Sequence, residues 1–327
     1  MNMLVSTLLV AAAAQTFDPG IRIVSPTEGQ VFSPGDTFKV IVDISDSSFV
    51  GGIHAAIPYI GAFTDEEAPY ELTVTVPEKA SGTLPVSAVG FTYDGANITD
   101  HDAQPVNIVV RRVTPPDRLI VDNFVWIRVP ETAGRANERV SVEGIYNGVE
   151  VDLNPSVTGT TYVSSDTNVA TVDSEGVLTP VTFGRAIITT ENMGVKDFTV
   201  VEVSAPNGVP LPPEDITAQL DIQRSGIRLN RRSGFFIQRI TLTNPSALPI
   251  PGPLALILEG LPAGVTAVNR DSDTDRVLAG SAEFDIAVDQ RLNSLLPGAT
   301  VTFDVEFVNP ERKRISYTPH VFVAQDF

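Results

Sequence analysis

The sequence predicts an all-β protein made of tandem β-sandwich domains, and two observations carry that prediction. Apolar and polar residues alternate with a period of two in several runs, which places one face of a strand on a core and the other in water. Turn signals rich in Pro, Gly, Asn and Asp separate these runs at the short spacing typical of antiparallel sandwiches. No run shows the 3.6-residue periodicity of an amphipathic helix.

Three alternating runs define the clearest strands. Their predicted inward positions are Phe38, Val40, Val42 and Ile44, then Leu72, Val74 and Val76, and finally Val301, Phe303, Val305 and Phe307. The residues between them, such as Lys39, Thr73 and Asp304, are polar and are predicted to face solvent. Turns are predicted at residues 33–35, 93–95, 146–148, 261–264 and 296–298, each of which ends in a glycine that permits a left-handed backbone.

Composition and charge exclude several classes of function. The 327 residues include 40 acidic and 22 basic ones, and the resulting net charge of -18 opposes binding to a nucleic-acid backbone. The absence of cysteine excludes a disulfide framework, thiol catalysis and thiolate zinc sites. The only histidines, His54, His101 and His320, are far apart in sequence, so imidazole chemistry is not indicated. At ~100–200 residues per domain, the length predicts two or three domains.

The N-terminus is predicted to be a secretory signal peptide, residues 1–14. Residues 4–14 carry no charge and end in consecutive alanines before Gln15, which is the pattern of an apolar region followed by a small-residue cleavage site. The positively charged segment that usually precedes such a region is missing, so a first buried strand is the alternative. No later run approaches the ~18 apolar residues of a membrane-spanning helix. We therefore expect an extracellular or cell-surface protein of bacterial or archaeal type.

Two proline-rich joints predict the domain boundaries. The first lies at residues 111–116 and the second at residues 204–213. Proline-rich segments favour extended, semi-rigid connections, so we expect three units strung end to end. Apart from the signal peptide, the predicted domains are residues 21–112, 117–204 and 214–327, and each has the length that a seven-stranded sandwich needs.

Sequence motifs in each unit resemble bacterial immunoglobulin-like domains. The first unit begins with IRIVSPTEGQVFSPGD at residues 21–36. It resembles bacterial immunoglobulin-like domains that begin with a similar motif. In the middle unit, VEGIYNG at 142–148, YVSSDTNVATVDSEGVLT at 162–179 and GRAIIT at 184–189 resemble the group 2 domain of intimin-type adhesins. The third unit resembles sandwich modules at the C-terminal ends of secreted bacterial repeat proteins. These resemblances imply three tandem immunoglobulin-like sandwiches, and none of them brings a catalytic motif.

The middle unit also allows a local prediction. Ala170 and Val172 are expected to pair with Val177 across a hairpin whose turn is residues 173–176. Tyr162 stands where the group 2 family often has tryptophan, and we expect it to fill the core as an aromatic plug.

Candidate sites for chemistry are few. Asp271, Asp273 and Asp275 alternate as calcium ligands do, but Arg276 stands where a calcium loop has glycine, and a solvated loop is the alternative. Calcium is accordingly the one candidate cofactor, and otherwise none is expected. Neither a nucleophile elbow nor a marked carboxylate pair is present, so the chain is not predicted to be an enzyme. Five aromatic residues would stack on sugars if they shared one face, but we expect them to fill the cores instead; they are Trp126, Tyr59, Tyr70, Tyr93 and Tyr146.

Charge is distributed unevenly along the chain. Residues 1–112 contain 5 basic and 13 acidic residues, whereas residues 205–327 contain 11 and 14. Within the third unit, a sixteen-residue segment without any acidic residue carries five arginines: Arg224, Arg228, Arg231, Arg232 and Arg239. This segment is the candidate contact surface, either for an acidic polymer or for the acidic units of a second copy, and a merely basic solvent face is the alternative.

These observations predict an exported, non-enzymatic cell-surface or extracellular-matrix protein with a structural or adhesive role. The alternatives are a polysaccharide-binding accessory protein and a subunit of an extracellular filament. Expected partners are surface or extracellular proteins, polysaccharides or further copies of the chain.

Overall fold

A computed structural model describes residues 17–45, 49–93, 95–128, 138–204, 211–273, 278, 280–289 and 293–323. Across these residues the prediction of an all-β fold is confirmed, since every regular element is a β-strand apart from two single-turn 3-10 helices. The predicted signal peptide lies outside the described residues. Within the described ranges, no helix is long and apolar enough to cross a membrane.

The first set of strands pairs only within itself. Its members are β1 (Ile21–Ser25), β2 (Gln30–Phe32), β3 (Thr37–Ile44), β4 (Phe49–Ile57), β5 (Gly61–Asp65), β6 (Tyr70–Thr75), β7 (Gly82–Tyr93), β8 (Ile98–Asp102) and β9 (Val106–Val110). One sheet has the order β1-β3-β6, and the other has the order β2-β9-β7-β4-β5 with β8 paired to β7. The predicted inward residues Phe38, Val40 and Val74 are buried in the core of this set.

The second set follows the first joint. Its members are β10 (Arg118–Val121), β11 (Phe124–Arg128), β12 (Val142–Tyr146), β13 (Val149–Asp152), β14 (Thr161–Ser164), β15 (Ala170–Val172), β16 (Leu178–Pro180), β17 (Gly184–Asn192) and β18 (Val195–Ser204), with a 3-10 helix at Ser156–Thr158. The sheets have the orders β10-β12-β13, β11-β18-β17-β14 and β15-β16. Asn147 and Gly148 both have positive φ, so they form the tight two-residue loop expected between β12 and β13.

The hairpin predicted in the second set is present, with a register one residue beyond the expected one. Val172 pairs with Leu178 rather than with Val177. The Asp173 side chain accepts hydrogen bonds from the N–H groups of Glu175 and Val177, both at 2.9 Å, so the N–H of Val177 is not available to β15. Tyr162 lies against the turn, where a side chain at Gly176 would come within 2.9 Å of its ring.

The third set contains the arginine segment. Its members are β19 (Glu214–Asp215), β20 (Asp221–Arg224), β21 (Arg228–Leu229), β22 (Phe236–Thr243), β23 (Ile250–Pro251), β24 (Leu254–Glu259), β25 (Thr266–Ala267), β26 (Ser272–Asp273), β27 (Ala282–Ile286), β28 (Ser294–Leu295), β29 (Thr300–Val308) and β30 (Thr318–Val323), with a 3-10 helix at Thr217–Gln219. The main sheets are β19-β30-β24-β27-β26 and β20-β22-β29-β25, with β21 paired to β22. Predicted inward residues Val305 and Phe307 are fully buried between them.

Packing groups the chain differently from strand pairing. By packing, the described residues within 17–119, 143–160 and 192–195 form one compact unit, and the other described residues form another. The three domain boundaries expected from the sequence therefore stay a prediction.

Arg112, at the first joint, contacts both the first set and the β12–β13 hairpin. Its guanidinium carbon lies 4.2 Å from the centroid of the Tyr146 ring, and its Nη1 lies 3.1 Å from a carboxylate oxygen of Glu78. The Arg112 side chain is only 11% exposed. Nearby, the Ser81 hydroxyl donates a hydrogen bond to the main-chain oxygen of Asp152. The end of the first set and the β12–β13 hairpin are thus in direct contact.

Candidate functional site

The arginine segment forms a hairpin with an ordered turn at its tip. β21 pairs with β22 through Arg228 opposite Ile237 and Leu229 opposite Phe236. At the tip, the side-chain oxygen of Asn230 accepts a hydrogen bond from the N–H of Arg232 at 3.0 Å, and Gly234 adopts a φ of 79°. A side-chain oxygen that caps a turn in this way fixes the backbone that carries the neighbouring charges. We call Arg228, Arg231 and Arg232, with the turn between β21 and β22, the arginine hairpin.

All five predicted arginines are exposed, yet two of them are bound to other residues of the third set. Arg239 donates two hydrogen bonds to the carboxylate of Asp304, from Nε at 2.9 Å and from Nη2 at 3.3 Å. This hydrogen bond lowers the pKa of Asp304, with a smaller electrostatic contribution from Arg228, and it raises the pKa of Arg239. Arg224 lies over the ring of Tyr317 with its guanidinium carbon 5.3 Å from the ring centroid. Arg239 thus links β22 to β29, and Arg224 links β20 to Tyr317.

The tip of the hairpin combines charge with exposed apolar surface. Arg231 and Arg232 lie in the turn itself, and Leu229 beside them is exposed. Interface centres are enriched in arginine and aromatic residues, so the three arginines are the part of this surface that resembles an interface. Since single exposed apolar residues are common on protein surfaces, the role of this segment as a contact surface stays a prediction.

The candidate calcium residues lie only partly within the described residues. The Asp271 carboxylate accepts a hydrogen bond from the N–H of Asp285 at 2.8 Å. Asp273 belongs to β26, opposite Ala282, while its side chain and the whole of Asp275 lie outside the described residues. The described side chains include no group of three or more that would hold a metal ion. Calcium binding here stays a prediction.

The aromatic candidates do not form one platform. Tyr70 packs against the core of the first set, and Tyr146 is buried beneath Arg112. Tyr93, in contrast, is 59% exposed at the end of β7. Tyr93 lines a surface groove, which the sequence alone did not reveal.

The groove lies on the outer face of the β4-β5-β7-β8 sheet and has a volume of about 560 Å³. We call it the aromatic groove, and its main lining residues are His54, Thr64, Glu66, Phe91, Tyr93 and Ile98. The rings of His54 and Phe91 meet edge to face with centroids 5.8 Å apart. Thr64 Oγ1 lies 3.0 Å from Nε2 of His54 and so orients that ring.

Strand register places these residues on one face. His54 lies opposite Thr64 on β5, and Tyr93 lies opposite Ile98 on β8. Phe91 lies opposite the exposed residue Asp100, and directly opposed residues share a face of the sheet. The groove is therefore walled by aromatic rings with carboxylates at its margin.

A glycine bulge brings Glu66 to the groove. The β4–β7 register shifts between Phe49 and Ile53, and Gly52 has a φ of 94° at this point. A side chain at Gly52 would come within 2.7 Å of the main-chain oxygen of Asp65. The absence of a side chain therefore permits the close approach of the segment that carries Glu66.

A second feature that the sequence did not reveal is a hydrogen-bonded line of Asp18, His101 and Thr92. Nδ1 of His101 lies 2.6 Å from the Asp18 carboxylate, and its Nε2 lies 2.8 Å from Thr92 Oγ1. A hydrogen bond from the N–H of Gly20, followed by that of His101, lowers the pKa of Asp18. The order of groups resembles a catalytic triad, which also needs donors for an oxyanion. Thr92 lies inside the sheet, paired with Phe49 on one side and Thr99 on the other, so its backbone groups are used in the sheet. They do not act as oxyanion donors, and we therefore assign the hydrogen-bonded line of Asp18, His101 and Thr92 a structural role.

Comparison with known proteins gives one family match. Residues 19–88 match the family described as a bacterial Ig domain. No curated protein matches the chain in sequence.

Solved structures of low similarity also align with the chain. Fibronectin(III)-like modules of CbhA from Clostridium thermocellum align at 21% identity over 29% of this chain and 98% of that chain, with a TM-score of 0.24. The S-layer protein rSbsC aligns at 12% identity over 93% of this chain and 53% of that chain, with a TM-score of 0.23. A β-glucuronidase from Parabacteroides merdae aligns at 10% identity over 57% of this chain and 25% of that chain, with a TM-score of 0.25.

At these identities and TM-scores, the aligned structures assign no function to the chain. The family match falls on the unit that begins IRIVSPTEG and contains β1 to β7. The resemblance of the first unit to bacterial immunoglobulin-like domains is thereby confirmed.

Proposed function

We propose that this chain is an exported, non-catalytic protein of the cell surface or extracellular matrix that acts as a structural or adhesive element. The observation that carries this proposal is the arginine hairpin, which presents three exposed arginines on an ordered turn of a chain with a net charge of -18. The family match of residues 19–88 supports the surface location. Contact through the hairpin is the proposed means of association.

The hairpin is suited to binding carboxylates. The planar guanidinium group forms paired hydrogen bonds with a carboxylate and stays charged at all relevant pH values. Because the other domains are acidic, a protein partner of the same composition is attracted to the hairpin over a distance of about one Debye length, roughly 8 Å at physiological salt. Association through it should weaken steeply as salt concentration rises.

A triple variant tests the contact. Replacing Arg228, Arg231 and Arg232 with glutamine should abolish salt-sensitive association in sedimentation velocity and should leave the melting temperature nearly unchanged, since exposed charges contribute little to folding. The matched control replaces three other exposed arginines, Arg118, Arg312 and Arg314, with glutamine. Equal sedimentation of the triple variant and the unaltered protein would refute the role of the hairpin.

Export has its own test. Sequencing the N-terminus of protein released or displayed by the native host should give Gln15 as the first residue, because the alanine run ends at Ala14. Surface protein that retains Met1 would contradict the proposed export.

A further inference from the structure

We infer that the aromatic groove of the first domain is the acceptor for the arginine hairpin of a second copy of this chain. This inference rests on the proposed function, because it names the partner of the hairpin. It is carried by complementary charge and by side-chain chemistry that matches on the two surfaces.

The groove has the two features that bind a guanidinium group. Arginine packs on the face or edge of an aromatic ring while its N–H groups bind a carboxylate. Phe91 and Tyr93 supply the rings, and Glu66 supplies a carboxylate in the wall of the groove. Asp100 lies directly across the strand pair from Phe91, which places a second carboxylate beside the same ring. The exposed side chain of Ile98 offers an apolar surface for Leu229 of the hairpin.

The same chemistry already occurs inside this chain. Arg112 lies over Tyr146 and is paired with Glu78, and Arg224 lies over Tyr317. In both cases an aromatic ring supports a guanidinium group beside an oxygen acceptor, since Arg224 also donates to the main-chain oxygen of Tyr317 at 3.3 Å. The groove offers this arrangement at the surface, and its lining within the described part of the chain includes no arginine.

Charge favours a partner of the same kind as this chain. Residues 1–112 contain 13 acidic and 5 basic residues, whereas the hairpin lies in a segment with five arginines and no acidic residue. An acidic domain attracts a basic hairpin and repels another acidic surface, so the contact joins unlike patches. The volume of the groove, about 560 Å³, falls within the ~300–1,000 Å³ range of binding pockets and suits a turn tip of two side chains.

Joining two different patches has a consequence for assembly. A single contact between unlike surfaces leaves one hairpin and one groove free. Further copies therefore add at both ends until the series closes on itself, either as a reciprocal dimer or as a ring.

Complementation of two defective variants tests the inference on the full chain. The hairpin variant carries Arg228→Gln, Arg231→Gln and Arg232→Gln, and the groove variant carries Glu66→Gln and Asp100→Asn. Each variant alone should lose association by at least about tenfold in the association constant. A mixture of the two keeps one intact hairpin and one intact groove, so it should form a one-to-one complex that does not grow further.

Controls separate charge from fold. Glu138→Gln with Glu150→Gln removes two exposed carboxylates elsewhere and should associate like the unaltered chain. Tyr93→Ser should weaken association at the groove, whereas Tyr59→Asn, at a tyrosine that is 81% exposed, should not. Circular dichroism and melting curves establish that each variant is folded.

The outcomes distinguish this inference from the proposed function. If the hairpin variant fails to associate but the groove variant behaves as the unaltered chain, the hairpin has another partner and the inference is overturned. If neither variant alters association, the proposed role of the hairpin falls as well. Binding of a neutral polysaccharide that requires Tyr93 but neither Glu66 nor Asp100, with self-association unchanged, would also overturn the inference.

Discussion

Arg112 and Tyr146 form a cation–π contact at the first joint, with the guanidinium carbon 4.2 Å from the ring centroid. Arginine 112 follows the last strand of the first set, and Tyr146 ends β12. Burial raises the pKa of the Tyr146 hydroxyl, and Arg112 opposes this effect more weakly. One side chain thus connects the proline-rich joint to the hairpin that follows it.

Arg112→Ala should destabilise this junction by about 1–3 kcal/mol, because both the stacking and the pairing with Glu78 are lost from a largely buried site. Thermal denaturation measures the effect. The neighbouring exposed residue provides the matched control, Arg111→Ala, which should change the melting temperature little. Equal melting of the two variants would show that the contact contributes nothing to stability.

Gly52→Ala should destabilise the first set of strands and weaken association. The added Cβ would come within 2.7 Å of the Asp65 main-chain oxygen. In addition, the φ of 94° at this position strains any residue other than glycine. Gly29→Ala separates these two causes, since Gly29 has a φ of 72° with open space around it. We expect a loss of about 1 kcal/mol for Gly29→Ala from strain alone, and a larger loss for Gly52→Ala. Similar urea midpoints for both variants would refute the steric argument.

The Arg239–Asp304 pair should make stability depend on pH in the acid range. The pKa of Asp304 in the folded protein lies below its ordinary value of about 3.9. Its contribution is therefore fully present above that value and is lost as pH falls through the lower folded-state pKa. Asp304→Asn should flatten the dependence of melting temperature on pH between about pH 5 and 3 by a few degrees at most, because the pair is largely exposed. An unchanged pH profile in this variant would contradict the assignment.

His101→Gln should loosen the segment that holds Asp18. The N–H of Asp18 donates to the Asp102 main-chain oxygen at 2.9 Å, and His101 binds the Asp18 carboxylate. Loss of the histidine should speed hydrogen exchange at the Asp18 amide, with a stability cost of about 1 kcal/mol. His54→Gln is the control and should leave that amide unaffected. Loss of stability without faster exchange there would argue against the structural role of the line.

Removal of metal ions should leave stability unchanged. The Asp271 carboxylate already binds the N–H of Asp285, so part of its capacity as a ligand is used within the fold. Melting curves with a chelator and with added calcium should coincide. A rise of many degrees with calcium that disappears in the variant Asp271→Asn would instead identify a calcium site.

Contiguous features were predictable from the sequence, whereas sites assembled from distant strands were not. The arginine segment was visible because its five arginines lie within sixteen residues. The aromatic groove brings together His54 in the middle of β4, Glu66 just after β5 and Tyr93 at the end of β7, and the position of Glu66 depends on a bulge at Gly52. Alternation alone does not show which strands are neighbours or where a register shifts.

The second-set hairpin shows the same limit on a smaller scale. Its position followed from the polar turn residues, but its register depends on how many backbone groups Asp173 binds. Because this carboxylate captures the N–H of Val177, the strand resumes at Leu178. Side-chain to backbone bonds of this kind compete with the ladder and are not encoded in hydrophobic pattern.

Two parallel strand pairs give the chain a particular response to mechanical load. β2 pairs in parallel with β9, and β11 pairs in parallel with β18. In a parallel pair, the start of one strand and the end of the other lie at opposite ends of the ladder. A pull that separates those two points acts along the strands, so the ladder hydrogen bonds are loaded together in shear and do not open one after another. Tension applied across either of these two short ladders would therefore be opposed by several hydrogen bonds at once.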